Sequence, residues 1–400
     1  MKKIILLLLS LNLLFAQNQK LSPIEPAKDF YPKLSTQNCD SGCLFDLLES
    51  KLYLSFLSEF NQQNADNLLN NIYIKLLNSI TDFDKILQKQ ALIKLAIIVP
   101  EKTIKSYSNT IINASISYLL KQRAQIKVKV FRIGTEEEAN IQNALDEIES
   151  QNYQYAIAGF TLKGVNYLNS HLKNIKVFIP TVHKNNTQIS HPNIYFGSID
   201  YDAQIAALLK LSNDNIAVFS DNSALSNHLN EKISTQIQNP IRFYKIDGAK
   251  LDFKQLFQSN GDLNNASIFL NTPLVKTALI SSQLRVNEIS PYILLSTQIN
   301  YNPTFLSITQ TNDRKNFIIA NSIFNEDQGL AYINSIFGQD INYNWVAYAT
   351  SVGLDYFYTS FISQDSERIF DEKMQDSQLI YDIKFMRGLG YSFEEFKEFK

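Results

Sequence analysis

Cysteine, histidine and paired carboxylates are what a catalytic or metal site is built from, and this 400-residue chain spreads them thinly. Its two cysteines, Cys39 and Cys43, stand in Cys-Asp-Ser-Gly-Cys. In an oxidising compartment so close a pair forms a disulfide. Asp-Ser-Gly supplies the turn, and Gly42 can take a positive φ. The pair therefore predicts a small clip at the start of a helix. A redox-active dithiol is the alternative, but the two-residue spacing and an adjacent strand-helix-strand unit are missing. A metal site is not indicated, since no third or fourth ligand lies nearby.

His171, His183, His191 and His228 are scattered, with no pair one helical turn apart, and read as surface residues. Carboxylate pairs such as Asp146 and Glu149 read as solvated helix faces. The chain has no G-x-S-x-G elbow, Walker loop or G-x-G-x-x-G fingerprint. Its twelve glycines leave few places for a phosphate-cradling loop. The expectation is a protein that is not an enzyme and uses no metal and no cofactor. The formal net charge is -2 and no long basic run occurs, so nucleic acid is not an expected partner.

The elements that position these residues begin with an address. Lys2-Lys3, the apolar run Ile4 to Leu9, and Leu13-Leu14-Phe15-Ala16 predict a cleavable signal peptide over 1–16. The run is shorter than the roughly 20 apolar residues that span a bilayer. No cysteine stands at the cleavage point, so no lipobox is expected. The expected mature chain begins at Gln17 and is a periplasmic protein with no transmembrane segment. Residues 17–38, with Pro23, Pro26 and Pro32, read as a linker. An α-helical module is expected over 39–91, where Leu44, Leu47, Leu48, Leu52 and Phe56 recur at helical spacing.

At Lys94 the pattern changes to alternating strand and helix. Leu95 to Val99 is a continuous apolar run, the mark of a parallel strand buried on both faces. Strands are expected at 126–133, 155–160, 177–182 and 194–197, with a helix over 135–151 begun by a Thr135/Glu138 capping box. The alternation repeats, with strands at 216–220, 241–246, 267–271, 292–296 and 317–320. A strand or hairpin is expected at 379–385 and a charged tail over 391–400. Trp345 to Ile362 reads as an aromatic-rich helix, for core packing or, if exposed, a partner surface. The fold class is α/β: doubly wound parallel sheets over 92–390. Lobe 1 covers about 92–200 and lobe 2 about 201–315, each with part of the C-terminal region.

This order resembles the type 1 periplasmic-binding-protein superfamily over about residues 92–390. The carrying segments are KLAIIVP, KVKVFRIG, EEEANIQNALDEIESQNYQYAIAGF, HPNIYFGSIDYDAQIAALL, NIAVFSDNSALSNHLNEKI and ASIFLNTPLVKTALISSQL. With a helical region in front, the layout looks most like the penicillin-binding-protein activators, whose helical array is longer. The resemblance implies a ligand cleft between the lobes, at the carboxyl ends of the strands. Its implied wall is Phe160, Thr161 and Gly164 in lobe 1, and Asp221, Asn222, Ser223, Asn271, Thr272, Ser296 and Thr297 in lobe 2. Some of these also read as helix caps: Asn222 or Ser223 before one helix, and Thr272 with Pro273 at the first position of the next. The aromatic and acid that amino-acid receptors of this superfamily offer to a ligand ammonium are missing, apart from Asp221. The expected function is therefore non-catalytic interaction with an envelope protein partner. Such a protein would regulate or scaffold a cell-wall synthase or a flagellar or secretion assembly. The alternative is a solute receptor, binding a small molecule for a transporter or sensor.

Overall fold

The computed structural model describes residues 39–61, 65–80, 93–124, 126–246, 253–258 and 263–397. The expected signal peptide and linker lie outside the described residues. The chain divides into two units, Met1–Ala91 and Leu92–Lys400.

Among its described residues the first unit contributes three helices, α1 (Ser41–Glu49), α2 (Tyr53–Glu59) and α3 (Asn67–Ile80). Asp40 caps α1, accepting from the Cys43 N–H at 2.9 Å, and the Cys39–Cys43 disulfide closes the same turn. The periodicity from Leu44 to Phe56 reads as one helix, yet the chain breaks between Glu49 and Tyr53. Lys51 takes φ 59, and the Leu52 N–H turns back to the Leu47 carbonyl. That break folds α2 over, so Leu44, Phe56 and Leu69 share a core in which Phe60 and Tyr73 stack at 3.9 Å.

The second unit holds two seven-stranded sheets. The first contains β1 (Ile93–Val99), β2 (Ile126–Arg132), β3 (Tyr155–Ala158), β4 (Lys176–Ile179), β5 (Ile194–Phe196), β11 (Lys373–Gln375) and β12 (Gln378–Ile380), in the order β11-β12-β5-β4-β3-β1-β2. The second contains β6 (Ile216–Ser220), β7 (Ile241–Lys245), β8 (Ser267–Asn271), β9 (Ile293–Ser296), β10 (Phe317–Asn321), β13 (Lys384–Leu389) and β14 (Ser392–Glu395), in the order β14-β13-β10-β9-β8-β6-β7. The five core strands of each sheet are parallel and follow the same order. This is the doubly wound pattern that the alternation predicts. The core strands β6, β8, β9 and β10 are buried at every position, because helices cover both faces.

The helices in the first lobe are α4 (Glu101–Ile104), α5 (Ser106–Lys121), α6 (Glu138–Ser150) and α7 (Leu162–His171). Those of the second lobe are α8 (Tyr201–Leu209), α9 (Ala224–Gln236), α10 (Phe253–Gln258), α11 (Leu274–Val286) and α12 (Pro303–Ile308). The chain then returns to the first lobe as α13 (Gln328–Ile336) and α14 (Trp345–Phe357), both packed on α5. Three segments thus cross between the lobes: 197–200, 322–327 and 381–383.

Three local expectations are corrected. The Thr135/Glu138 capping box does not form: Glu137 stands at the cap position of α6 with no side-chain cap, and the Thr135 hydroxyl instead accepts from the Asn140 amide at 3.1 Å. The tract 379–385 is not one strand or hairpin. Its first half joins the first sheet as β12 and its second half joins the other as β13, since residues 381–383 are the third crossing. The charged tail begins with a strand, β14, anchored by Phe393 against Tyr301 at 4.7 Å. As the aromatic-rich reading of α14 allows, the helix is a core element, buried from Val346 to Asp355. Phe178 lies between Gly197 and Gly353, where a Cβ would come within 2.1 Å and 2.0 Å of its ring.

Candidate functional site

The carboxyl ends of β6 and β8 flank the point where strand order reverses in the second sheet, which in open α/β sheets is where a crevice forms. A cavity of about 670 Å³ lies there, and Ser223, Asn271 and Thr272 line it. Gln298 and Tyr301 extend this wall beyond β9. The facing wall is α5, through Tyr107, Asn109, Thr110 and Asn113, and the segment 337–345 that ends at Trp345. The cavity is therefore an interlobe cleft.

The lobe-2 wall is organised by buried polar contacts. Ser223 caps α9, accepting from the Ser226 N–H at 3.2 Å. The Ser226 hydroxyl donates to the Asn271 carbonyl at 2.5 Å, and the Asn271 amide donates to Asn230 Oδ1 at 2.9 Å. Asn271 is only 1% exposed, and its own Oδ1 meets no donor among the described residues. Thr272 does not cap α11: its hydroxyl pairs with that of Thr277 at 2.8 Å, and Pro273 occupies the cap position, one residue later than the sequence reading. Asp221 accepts from Lys276 at 3.3 Å and from the Ser223 N–H at 3.0 Å. Burial raises its carboxyl, but these bonds outweigh it and hold the group below its ordinary value. Asn222 is exposed beside it. Ser296 and Thr297 are fully buried; Ser296 accepts from Asn300 at 2.8 Å.

The three lobe-1 candidates are not in this cleft. At the matching switch point a Cβ on Gly159 would come within 2.5 Å of Ile111, so side chains of α4 and α5 fill the space. Phe160 is fully buried in the lobe-1 core, with Gly164 pressed against its ring. Thr161 caps α7, and the turn is filled by an internal carboxylate. Glu136, 3% exposed, accepts from the Thr161 N–H at 2.6 Å, from the Gly164 N–H at 3.1 Å and from the Thr161 hydroxyl. Thr161 and Gly164 hold this chain's own acid.

The cleft's composition shows what sequence reasoning missed. Tyr107, Asn109, Asn113, Gln298, Tyr301, Tyr343 and Trp345 all line it. Only Trp345, as the single tryptophan, stands out in the sequence. Among the described residues lining the cleft, Asp340 is the one with a formal charge, and it lies exposed at the rim, accepting from the Asn342 N–H at 3.0 Å. Tyr343 sits between Tyr301 at 5.1 Å and Phe393 at 6.1 Å, tying the 337–345 segment to the second lobe. Behind the cleft, Gln204, Gln298, Asn321 and Ser322 bond to one another and fasten the second crossing: the Ser322 N–H donates to Gln298 Oε1 at 2.7 Å and Gln298 donates to Asn321 at 2.8 Å.

Titratable groups elsewhere are structural. Asp355, buried within α14, accepts from Tyr118 at 3.0 Å, Arg368 at 3.2 Å and the Ile369 N–H at 3.1 Å. Burial raises its pKa in spite of those donors. His183 is buried, not at the surface as its scatter implies, 3.7 Å from Asp200; burial lowers its pKa and Asp200 opposes that. No group of His, Cys, Asp and Glu able to hold a metal occurs among the described residues.

No family model and no curated protein matches the sequence. Solved structures do match. The branched-chain amino acid substrate-binding protein LivJ of Streptococcus pneumoniae, in complex with isoleucine, aligns at 11% identity and TM-score 0.54, over 77% of this chain and 100% of its own. LpoA of Haemophilus influenzae aligns at 10% identity and TM-score 0.52, over 89% of this chain and 68% of its own. The C-domain of that LpoA, a regulator of PBP1A, aligns at 10% identity and TM-score 0.51, over 76% of this chain and 100% of its own. The two-lobed unit thus has the type 1 periplasmic-binding-protein fold. With helices in front of it, the chain is similar in layout to LpoA. Among the described residues no helix is long and apolar enough to cross a membrane.

Proposed function

We propose that this chain is an exported, non-catalytic binding protein that regulates or scaffolds a machine of the cell envelope. The carrying observation is the reach of the likeness to LpoA. It extends over 89% of the chain, where LivJ reaches 77%. The longer reach supports reading the helical region ahead of the two-lobed unit as having a counterpart in LpoA. The filled wall of lobe 1 supports the same reading, because Ile104 and Ile111 close the switch point and Glu136 takes the N–H donors at the start of α7. The partner class is a cell-wall synthase or an assembly that crosses the periplasm, such as a flagellar or secretion structure.

The test is cross-linking in intact cells, followed by capture of the tagged chain from the periplasmic fraction. The expected result is a mature chain starting at Gln17, with one such machine enriched and its activity altered when the gene is deleted. Recovery of the chain without a partner, together with unchanged wall synthesis and motility on deletion, would falsify the proposal.

The second reading is a solute receptor, favoured by the open cleft of about 670 Å³ lined from both lobes. It expects ligand-dependent stabilisation, roughly 2.7 kcal/mol at 100 times the Kd.

A further inference from the structure

The interlobe cleft has a chemistry distinct from that of a receptor for charged solutes. No lysine, arginine or histidine lines it among the described residues, and Asp340 spends its carboxylate on the turn of its own loop at the exposed rim. An ionised ligand entering this space would lose water and find no counter-charge, a penalty that buried ions escape only by pairing. The lining instead alternates two kinds of group. Amides of Asn109 and Asn113 bring donor and acceptor groups to the cleft, which matches a hydroxyl, itself donor and acceptor. Rings of Tyr107 and Trp345, edge to face at 6.2 Å, offer flat apolar surface at the mouth, and Tyr107 is 43% exposed. The floor holds one acceptor not yet used, Asn271 Oδ1, which a ligand hydroxyl would satisfy. The volume falls in the range of small-ligand clefts, about 300–1,000 Å³, and suits one or two sugar rings.

We infer that the cleft binds an uncharged saccharide, packed against the Trp345–Tyr107 pair with its hydroxyls on the amide wall. This goes beyond the regulator proposal and does not depend on it.

Trp345 is the only tryptophan, so its fluorescence reports this cleft and nothing else. The full mature chain is titrated with N-acetylglucosamine, chitotriose, maltotriose and ribose, and in parallel with leucine, glutamate and lysine. The expected result is a saturable Trp345 response and a raised melting temperature with at least one neutral saccharide, and neither with the amino acids. Asn271→Ala and Tyr107→Ala should each weaken that binding at least tenfold. Tyr391→Ala, on an exposed turn, should leave it unchanged. Asn271→Ala also removes a buried bond, so circular dichroism confirms folding, and Tyr107→Ala carries the test alone if Asn271→Ala unfolds. A saturable response to an amino acid with none to a saccharide overturns the inference. So does silence across the panel, or saccharide binding that both variants leave intact. None of these outcomes bears on capture of an envelope partner.

Discussion

Glu136 gives the sharpest test of how lobe 1 is built. Its carboxylate is the acceptor for two backbone N–H groups at the start of α7, Thr161 at 2.6 Å and Gly164 at 3.1 Å, and for the Thr161 hydroxyl. Glu136→Ala leaves those donors without a partner. Each unsatisfied buried donor costs about 1–3 kcal/mol. Loss of negative charge at a helix N-terminus adds about 0.3–1 kcal/mol. Thr161 is half-buried, so water can reach one donor, and the expected net loss is about 3 kcal/mol. At about 2–4 °C per kcal/mol, the melting temperature should fall by about 6–12 °C. Glu136→Gln keeps one carbonyl oxygen but turns an amide NH2 towards N–H donors, and should fall by roughly half as much. Thermal unfolding followed by circular dichroism reads both. Formate, small enough for the vacated position, should raise the alanine variant's midpoint and leave the parent's unchanged. An alanine variant melting within about 1 °C of the parent would refute the assignment of Glu136 as the internal partner of α7.

Gly353→Ala should destabilise the second unit by about 3 kcal/mol in urea titration, because its new methyl meets the Phe178 ring at 2.0 Å and Gly197 bars the ring's retreat. Adding Phe178→Leu should recover part of that loss; a double variant no better than the single would refute the packing argument. Gln298→Ala should cost about 2–4 kcal/mol, since Asn321 and the Ser322 N–H both lose their partner in a buried network. Equal stability of this variant and the parent would show that the second crossing is held by other contacts. His183, lowered below 6.5 by burial, predicts a pH effect of definite sign. The unfolded chain takes the proton first, so stability is present above pH 6.5 and is lost as pH falls from there towards the folded value. His183→Gln should flatten the melting temperature across that window, and an unchanged slope would assign it to other groups.

The sequence by itself determined the class of fold. Runs such as Leu95 to Val99, and helical stretches such as 135–151, are local hydrophobic patterns, and burial on one face or both is enough to choose strand or helix. The Cys39–Cys43 pair was legible for the same reason, since its turn is built from adjacent residues. Ser223, Asn271 and Thr272 could be placed at strand ends, and the structure brings them to the cleft. Only tertiary structure decided the rest. Glu136 reads as one acid among three, and becomes an internal ligand because β3 ends beside it. Residues 379–385 read as one strand or hairpin, and divide between two sheets because each half finds a different edge. Tyr107 and Trp345 meet only when the returning chain lays α14 on α5, and they face Asn271 only across the lobes. Local pattern records which face of an element is buried. What that face meets, and therefore what the cleft can bind, is decided by contacts between residues far apart in the chain.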